Sequence, residues 1–158
     1  MKWTPLPFGK HVGKTLPQII FNDADYFFWA MENQIIKGWL AVQAEDVCRK
    51  AQAIQIPKRC PSRWLVEYCY ERNGRFVGLR LVKAKEAEYQ SPLNHRLPHL
   101  DFAYIRRRRT YDKKGCRHLL RDFRHLYFGK NKRITKERIE AFFNDDSNFV
   151  ALAISDDG

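Results

Sequence analysis

The first stretch whose residue types suggest chemistry is a basic turn near the N-terminus, Phe8-Gly9-Lys10-His11-Val12-Gly13-Lys14-Thr15. Glycines four residues apart allow a tight turn with positive φ and close approach of a ligand to the backbone. If Thr15 begins a helix, with Gln18 as its capping-box partner, the turn leads into a helix N-terminus, which favours an anion such as a phosphate. The alternative is a well-capped turn whose lysines are solvated. The candidate phosphate loop consists of Gly9, Lys10, His11, Gly13 and Lys14.

The spacing of this turn excludes a nucleotide-binding P-loop. A P-loop has one more residue between its glycines than the three that separate Gly9 from Gly13. It also follows a buried strand, whereas Pro5 and Pro7 interrupt the short stretch before this turn. We therefore exclude ATP or GTP hydrolysis at this site.

The turn and the segment after it resemble a known bacterial family. The pattern Phe-Gly-Lys-x-x-Gly-Lys-x-Leu, at residues 8–16, is followed by Asp-x-Asp-Tyr-x-x-Trp at residues 23–29. This combination resembles the small C-terminal domain of exodeoxyribonuclease X and the short bacterial proteins grouped as quorum-sensing-regulated virulence factors. The resemblance covers about residues 7–36, with Ala24 where the family usually has proline. It implies a nucleic-acid accessory role, and it does not carry exonuclease activity over because the acidic residues of the exonuclease domain have no counterpart segment here.

The positive charge of the chain is concentrated in one segment. The 158 residues carry a net charge of +11, and residues 106–138 hold fourteen Lys and Arg against three Asp and Glu, so this segment alone accounts for the excess. Charge of one sign gathered in one segment is typical of a polyanion-binding surface, whereas a surface built for solubility intersperses both signs. The predicted phosphate-binding residues are Arg106, Arg107, Arg108, Arg109, Lys113, Lys114, Arg117, Arg121, Arg124, Lys130, Lys132 and Arg133.

Aromatic residues are the second ingredient of a nucleic-acid surface, because their rings can stack on bases. Tyr104 and Tyr111 flank the arginine run and are the stacking candidates. Tyr26 and Trp29 offer the same chemistry, but we expect them to pack in the core. The alternative for the arginine run is a strand on which two arginines face solvent and two pair with acids such as Asp112.

Histidines supply the candidates for catalysis. His118 and His125 lie seven residues apart in a predicted helix and could act as acid and base in phosphodiester cleavage. The alternative is two polar-face histidines in an arginine-rich helix. The set of His95, His99, Cys116 and His118 matches no usual zinc-ligand spacing, so we predict no metal site and no cofactor.

The composition bounds the class of protein. An apolar content of 44%, with 14% aromatic residues, is enough for a folded core in one domain or two small ones. No apolar run approaches the length of a membrane span, and the N-terminus lacks the apolar region of a signal peptide. Four widely spaced cysteines favour a reduced, cytoplasmic chain of bacterial or phage type.

The pattern of elements predicts an α+β fold. We expect helices over residues 15–21, 23–34, 40–54, 113–128 and 135–144. Strands are expected over 63–71 and 75–83, joined by Asn73-Gly74 in a type I′ turn, with a third strand over 100–107 and a proline-bearing loop at 91–98. Prolines at positions 57 and 61 mark a boundary between a helical unit, 1–56, and a basic unit, 62–158, that contains a central antiparallel hairpin or meander and a C-terminal helical pair.

Together these features predict a non-catalytic accessory protein that binds nucleic acid, either DNA or RNA, with the basic segment as its main phosphate site and the glycine turn as a secondary one. The first alternative is an adaptor, inhibitor or subunit of a nucleoprotein complex, of phage or mobile-element type, that binds an acidic protein. The second is a small nuclease.

Overall fold

A computed structural model of the chain describes residues 1–57, 64–85, 92–108 and 112–150. In these ranges the helices are α1 (Leu16–Asn22), α2 (Ala24–Glu32), α3 (Trp39–Ala51), α4 (Ala103–Arg108), α5 (Lys113–Phe128) and α6 (Lys136–Asn144). The strands are β1 (Ile54–Gln55), β2 (Trp64–Tyr70), β3 (Phe76–Lys83), β4 (His95–Leu97) and β5 (His99–Leu100). The class is α+β, as the sequence predicts. None of the helices in these ranges combines the length and the apolar character that crossing a membrane requires.

Helix ends lie where the local sequence places caps. The backbone N–H of Thr15 donates to Gln18 Oε1 at 3.0 Å, which confirms the predicted capping partner of α1. Asp112 caps α5 by accepting from the N–H of Gly115 at 2.9 Å. Gly129, with a φ of 87°, ends α5 at the predicted position.

The predicted hairpin is present, but its turn type is not the predicted one. Strands β2 and β3 pair antiparallel from Trp64–Lys83 to Tyr70–Phe76, with a shift in register between Cys69 and Tyr70. The N–H of Gly74 donates to Glu71 O at 2.9 Å, and the N–H of Glu71 donates to Arg75 O at 3.0 Å. Gly74 has a φ of 81°, whereas Asn73 does not have a positive φ. A type I′ turn needs positive φ at both central residues, so the connection is a three-residue loop with glycine in the left-handed position.

The third strand of the sheet lies outside the segment predicted for it. Strand β4, within the predicted loop 91–98, pairs antiparallel with β2 and completes a sheet of order β3-β2-β4. Its register places Arg96 opposite Glu67, while Arg80 lies opposite Glu67 on β3. Glu67 is fully buried and accepts from Arg80 Nε at 2.6 Å and Arg96 Nε at 2.9 Å. Burial would raise the pKa of Glu67, but these two arginines lower it below its ordinary value.

The prediction of a strand over residues 100–107 is wrong. Only its first residue is a strand residue: Leu100 of β5 pairs with Ile54 of β1, and the chain then turns into α4. The turn is fixed by Asp101, whose Oδ1 accepts from the N–H of Ala103 at 2.8 Å. Residues 102–105 are all buried, so the segment lacks the exposed alternate positions of a half-buried strand. Helix α3 likewise ends at Ala51 rather than at residue 54, since Ile54 belongs to β1.

The centre of the core is the ring of Phe21, at the end of α1. Phe21 is fully buried and meets the rings of Phe102, Phe128, Phe142 and Phe143 edge to face, with centroids 5.2, 5.2, 5.5 and 5.8 Å away. These partners come from the start of α4, the end of α5 and α6. The two predicted units, 1–56 and 62–158, therefore share one buried cluster. The predicted boundary residues 58–61 lie outside the described ranges.

Replacing Phe21 with alanine should cost about 3–5 kcal/mol of unfolding free energy, because the cavity removes contacts with four rings at once. Equilibrium unfolding in urea would measure the loss. Phe8→Ala is the control: its ring is 36% exposed, so we expect a change below about 1 kcal/mol. Equal losses in the two variants would contradict the central role of Phe21.

Candidate nucleic-acid interface

The glycine turn before α1 is a closed backbone structure. The N–H of Leu6 donates to Lys14 O at 2.9 Å, and the N–H of Gly13 donates back to Leu6 O at 2.8 Å. Gly9 and Gly13 both have positive φ, 77° and 83°. A Cβ atom built on Gly9 would come within 3.0 Å of Tyr26 Oη. The two glycines are therefore required by the backbone conformation and by close approach to α2.

Asp23, the cap of α2, holds this turn in place. Its Oδ2 lies 2.8 Å from Lys10 Nζ and 2.9 Å from His11 Nε2, while Oδ1 accepts from the N–H of Tyr26 at 3.3 Å. His11 is buried, and its ring meets Tyr26 edge to face with centroids 4.8 Å apart. Burial would raise the pKa of Asp23, but the hydrogen bonds from Lys10, His11 and the backbone lower it below its ordinary value. Of the basic residues on the turn, Lys14 is the exposed one that Asp23 does not hold.

The first two arginines of the basic run are paired within the protein. Arg106 Nη1 donates to Asp25 Oδ1 and Arg106 Nη2 donates to Glu32 Oε2, both at 2.9 Å, so that α4 is tied to α2. The hydrogen bond from Arg106 lowers the pKa of Glu32 below its ordinary value. Arg107 Nη2 donates to Asp101 Oδ2 at 3.2 Å. The predicted partner of the run, Asp112, instead caps α5.

The third arginine and the stacking candidate Tyr104 cover each other. The guanidinium carbon of Arg108 lies 4.1 Å from the ring centroid of Tyr70 and 5.1 Å from that of Tyr104. Tyr104 is 8% exposed, and its ring stacks on Tyr68 with centroids 4.8 Å apart. The ring of Tyr104 is therefore unavailable to a base in this structure. Arg109 and Tyr111 lie outside the described residues.

The remaining predicted phosphate ligands form an exposed surface on α5 and the loop that follows it. Helix α5 buries Cys116, Leu119 and Phe123, so the opposite side faces solvent. We call the exposed set the α5 basic surface: Lys113, Lys114, Arg117, Arg121, Lys130, Lys132 and Arg133. Within the described ranges, Arg121 is the member of this set that approaches an acid, with its Nε 4.0 Å from Asp122 Oδ1. Arg124 is half-buried and donates to Asn22 Oδ1 at 3.4 Å.

One groove lies between the α5 basic surface and the cap of α2, whose Asp23 holds the glycine turn. It has a volume of about 330 Å³; one wall contains Lys113 and Arg117 of α5, and the other contains Asn22, Asp23 and Asp25. We call it the α2–α5 groove. Asp23 is paired with Lys10, and Asp25 shares the guanidinium of Arg106 with Glu32, so the charge of the two acids is partly compensated within the protein. Among the described residues no acid forms an ion pair with Lys113 or Arg117, so the α5 wall of the groove carries uncompensated positive charge.

The candidate catalytic histidines do not converge. His118 Nε2 lies 3.4 Å from Asp122 Oδ2, and its ring packs edge to face on Phe76 with centroids 5.7 Å apart. His125 lies two turns further along α5, about 10 Å at the rise of an α-helix, and lines a separate depression with Arg80. The two imidazoles therefore do not address one phosphodiester. In the described part of the chain no three His, Cys, Asp or Glu side chains gather closely enough to hold a metal ion.

The prediction that Trp29 packs in the core is wrong. We expected it in the core, but it is 38% exposed, while Ala24, Phe27 and Phe28 of the same helix are buried. The signal was present in the spacing, because those buried positions put residue 29 on the opposite side of a helix.

Comparisons of the chain with protein-family models, with curated proteins and with solved structures found no match. The resemblance of residues 7–36 stays a prediction.

Substituting Arg106 should lower the stability of the fold, whereas substituting Arg117 should change mainly the surface charge. Arg106→Ala removes the guanidinium that binds Asp25 and Glu32 and should lower the unfolding free energy by about 1 kcal/mol; the loss is modest because these side chains are partly exposed. Arg117→Ala removes an exposed side chain and should change it by less than about 0.5 kcal/mol. Urea unfolding of both variants tests this. A larger loss for Arg117→Ala would contradict the assignment.

Asp23→Asn tests the charge that holds the turn, since asparagine keeps an oxygen for the α2 cap. A carboxylate whose pKa lies below its ordinary value of 3.8 stabilises the fold above that pH and loses this effect as the pH falls through the lowered pKa. We expect the wild type to be more stable than the variant at pH 7, and the difference to shrink as the pH falls below 3.8. Unfolding curves at pH 7 and over a series of acidic pH values measure it. A difference that does not depend on pH would show that the charge of Asp23 is unimportant.

Proposed function

We propose that the protein is a non-catalytic accessory module that binds nucleic acid through phosphate contacts of the α5 basic surface. The observation that carries the proposal is the contrast within the basic segment. Arg106, Arg107 and Arg108 are held by acids, a carbonyl and aromatic rings of the protein itself. The seven residues of the α5 basic surface are exposed, and among them Arg121 alone approaches an acid of the described residues, its neighbour Asp122, at 4.0 Å. Their charge is thus free to act on a polyanion.

Within the basic segment, the proposed phosphate contacts are therefore those of the α5 basic surface rather than Arg106, Arg107 and Arg108. The basic helix and the loop after it supply the main phosphate contacts. The N-terminal turn supplies Lys14 and borders the α2–α5 groove through Asp23, so its contribution is secondary. Arg106 to Arg108 act as structural residues that tie α4 to its neighbours.

The accessory role follows from two considerations. The histidines of α5 lie about 10 Å apart along the helix and offer no shared reaction centre. The resemblance of residues 7–36 to the tail of exodeoxyribonuclease X implies a module that adds affinity for nucleic acid to another activity. An acidic protein would meet the same surface charge, and the adaptor alternative is therefore an outcome of the test below.

The test is binding of labelled single-stranded DNA, duplex DNA and RNA by nuclease-treated protein across a salt series. If all seven residues meet phosphates, the affinity for duplex should fall by about three to four decades between about 50 and 200 mM salt. The triple variant Lys114→Ala, Arg117→Ala, Arg121→Ala should bind more weakly, with a log–log salt slope reduced by about 2 to 3. Fluorescence anisotropy gives both quantities, and added magnesium reports cleavage on the same samples.

A charge-matched control distinguishes this surface from net charge. Lys2, Lys37 and Arg49 are exposed residues on or beside α3, and replacing them with alanine removes the same number of positive charges. We expect this control to keep the salt slope of the wild type. Equal losses in the two triple variants would contradict the proposal, as would absence of binding at low salt or cleavage in magnesium.

A further inference from the structure

An exposed aromatic patch lies beside the α2–α5 groove. Trp29 is 38% exposed, and its ring is tilted by 40° against that of Tyr26, with centroids 5.6 Å apart. Phe8, 36% exposed, precedes Gly9, the residue that approaches the Tyr26 hydroxyl. We call Phe8, Tyr26 and Trp29 the aromatic patch. The core does not need the ring of Trp29, because α2 packs inward through its other face.

The charged residues near the aromatic patch indicate what it could bind. Asp25 lines the groove, and Trp29 follows it by one helical turn, about 6 Å along α2. On the other side of the patch, the turn that carries Lys10 and Lys14 contacts Tyr26 through His11. The indole of Trp29 therefore lies about one helical turn from the groove wall that faces Lys113 and Arg117.

We propose that Trp29 stacks on an unpaired base of nucleic acid bound in the α2–α5 groove, so that the preferred ligand is single-stranded. This deepens the proposed function and rests on it. An exposed ring next to a basic groove is the combination that single-strand binding uses, because every base presents a π-face to stack on. In a duplex these faces are covered by neighbouring base pairs, so the ring of Trp29 adds nothing to duplex affinity.

The chain contains its own comparison residue. Trp39, at the start of α3, is 70% exposed, and so is more accessible than Trp29. The exposed positions nearest to it on α3 are Val42 and Glu45; Arg49, further along the helix, donates to Asp46 Oδ1 at 2.7 Å, and Lys37 is an exposed lysine two residues before Trp39. If exposure alone governed stacking, Trp39 would matter more; if the adjacent basic groove governs it, Trp29 matters and Trp39 does not.

The experiment uses two single-stranded oligonucleotides of equal length and charge, one with thymine bases and one abasic, at a single salt concentration. The wild type should bind the base-bearing strand about 5- to 100-fold tighter than the abasic strand, the range that stacking of one base supports. Trp29→Ala should lose that preference and keep the affinity for the abasic strand. Trp29→Phe should retain most of it, and Trp39→Ala should equal the wild type. Circular dichroism confirms that each variant is folded.

The outcomes separate this inference from the proposed function. If the wild type binds both strands equally, or if Trp29→Ala weakens both to the same extent, stacking by Trp29 is refuted and phosphate binding stands. If the wild type binds neither strand at low salt, the nucleic-acid function fails and the inference fails with it. Binding of polyglutamate in that case would identify an acidic protein as the partner.

Discussion

The burial of Phe21 among four other phenylalanine rings is the constraint on which the rest of the structure depends. It fixes the end of α1 against segments that are far apart in sequence. Asp23 follows two residues later, and its carboxylate positions the turn and caps α2. The acidic wall of the groove is therefore placed by an apolar contact, and the electrostatics of the surface depend on the packing of the core.

The basic segment contains two kinds of residue that its sequence does not distinguish. Arg106 faces carboxylates on α2, whereas Arg117 faces solvent, although both belong to one run of positive charge. What separates them is the secondary structure of α4, which turns the first arginines towards the protein. A formal net charge therefore overstates the field outside the protein, because part of the charge is neutralised by partners within it.

Local signals made much of the fold predictable, and tertiary contacts determined the rest. The bounds of α5 and its Gly129 end follow from neighbouring residues, as does the hairpin around Gly74, whereas the Asp112 cap was not predicted. Helix α4 could not be predicted in this way. Its start is held by a long-range hydrogen bond from the N–H of Phe102 to the carbonyl of Ala51. It is also too short for its apolar residues to show a helical periodicity. The groove could not be predicted from the sequence either, because only folding brings residues 22–25 next to residues 113–117. The exposure of Trp29 could be predicted from helical spacing, but the prediction followed the general tendency of aromatic residues to be buried.

The ring partners of Phe21 all come from beyond residue 100, and this has a consequence for how the N-terminal motif is understood. The unit of resemblance, residues 7–36, and the unit of folding are different things. On its own the short segment would expose one face of Phe21 and leave Asp25 and Glu32 without their guanidinium. In this chain residues 7–36 are therefore part of a larger packing unit rather than an independent folding module.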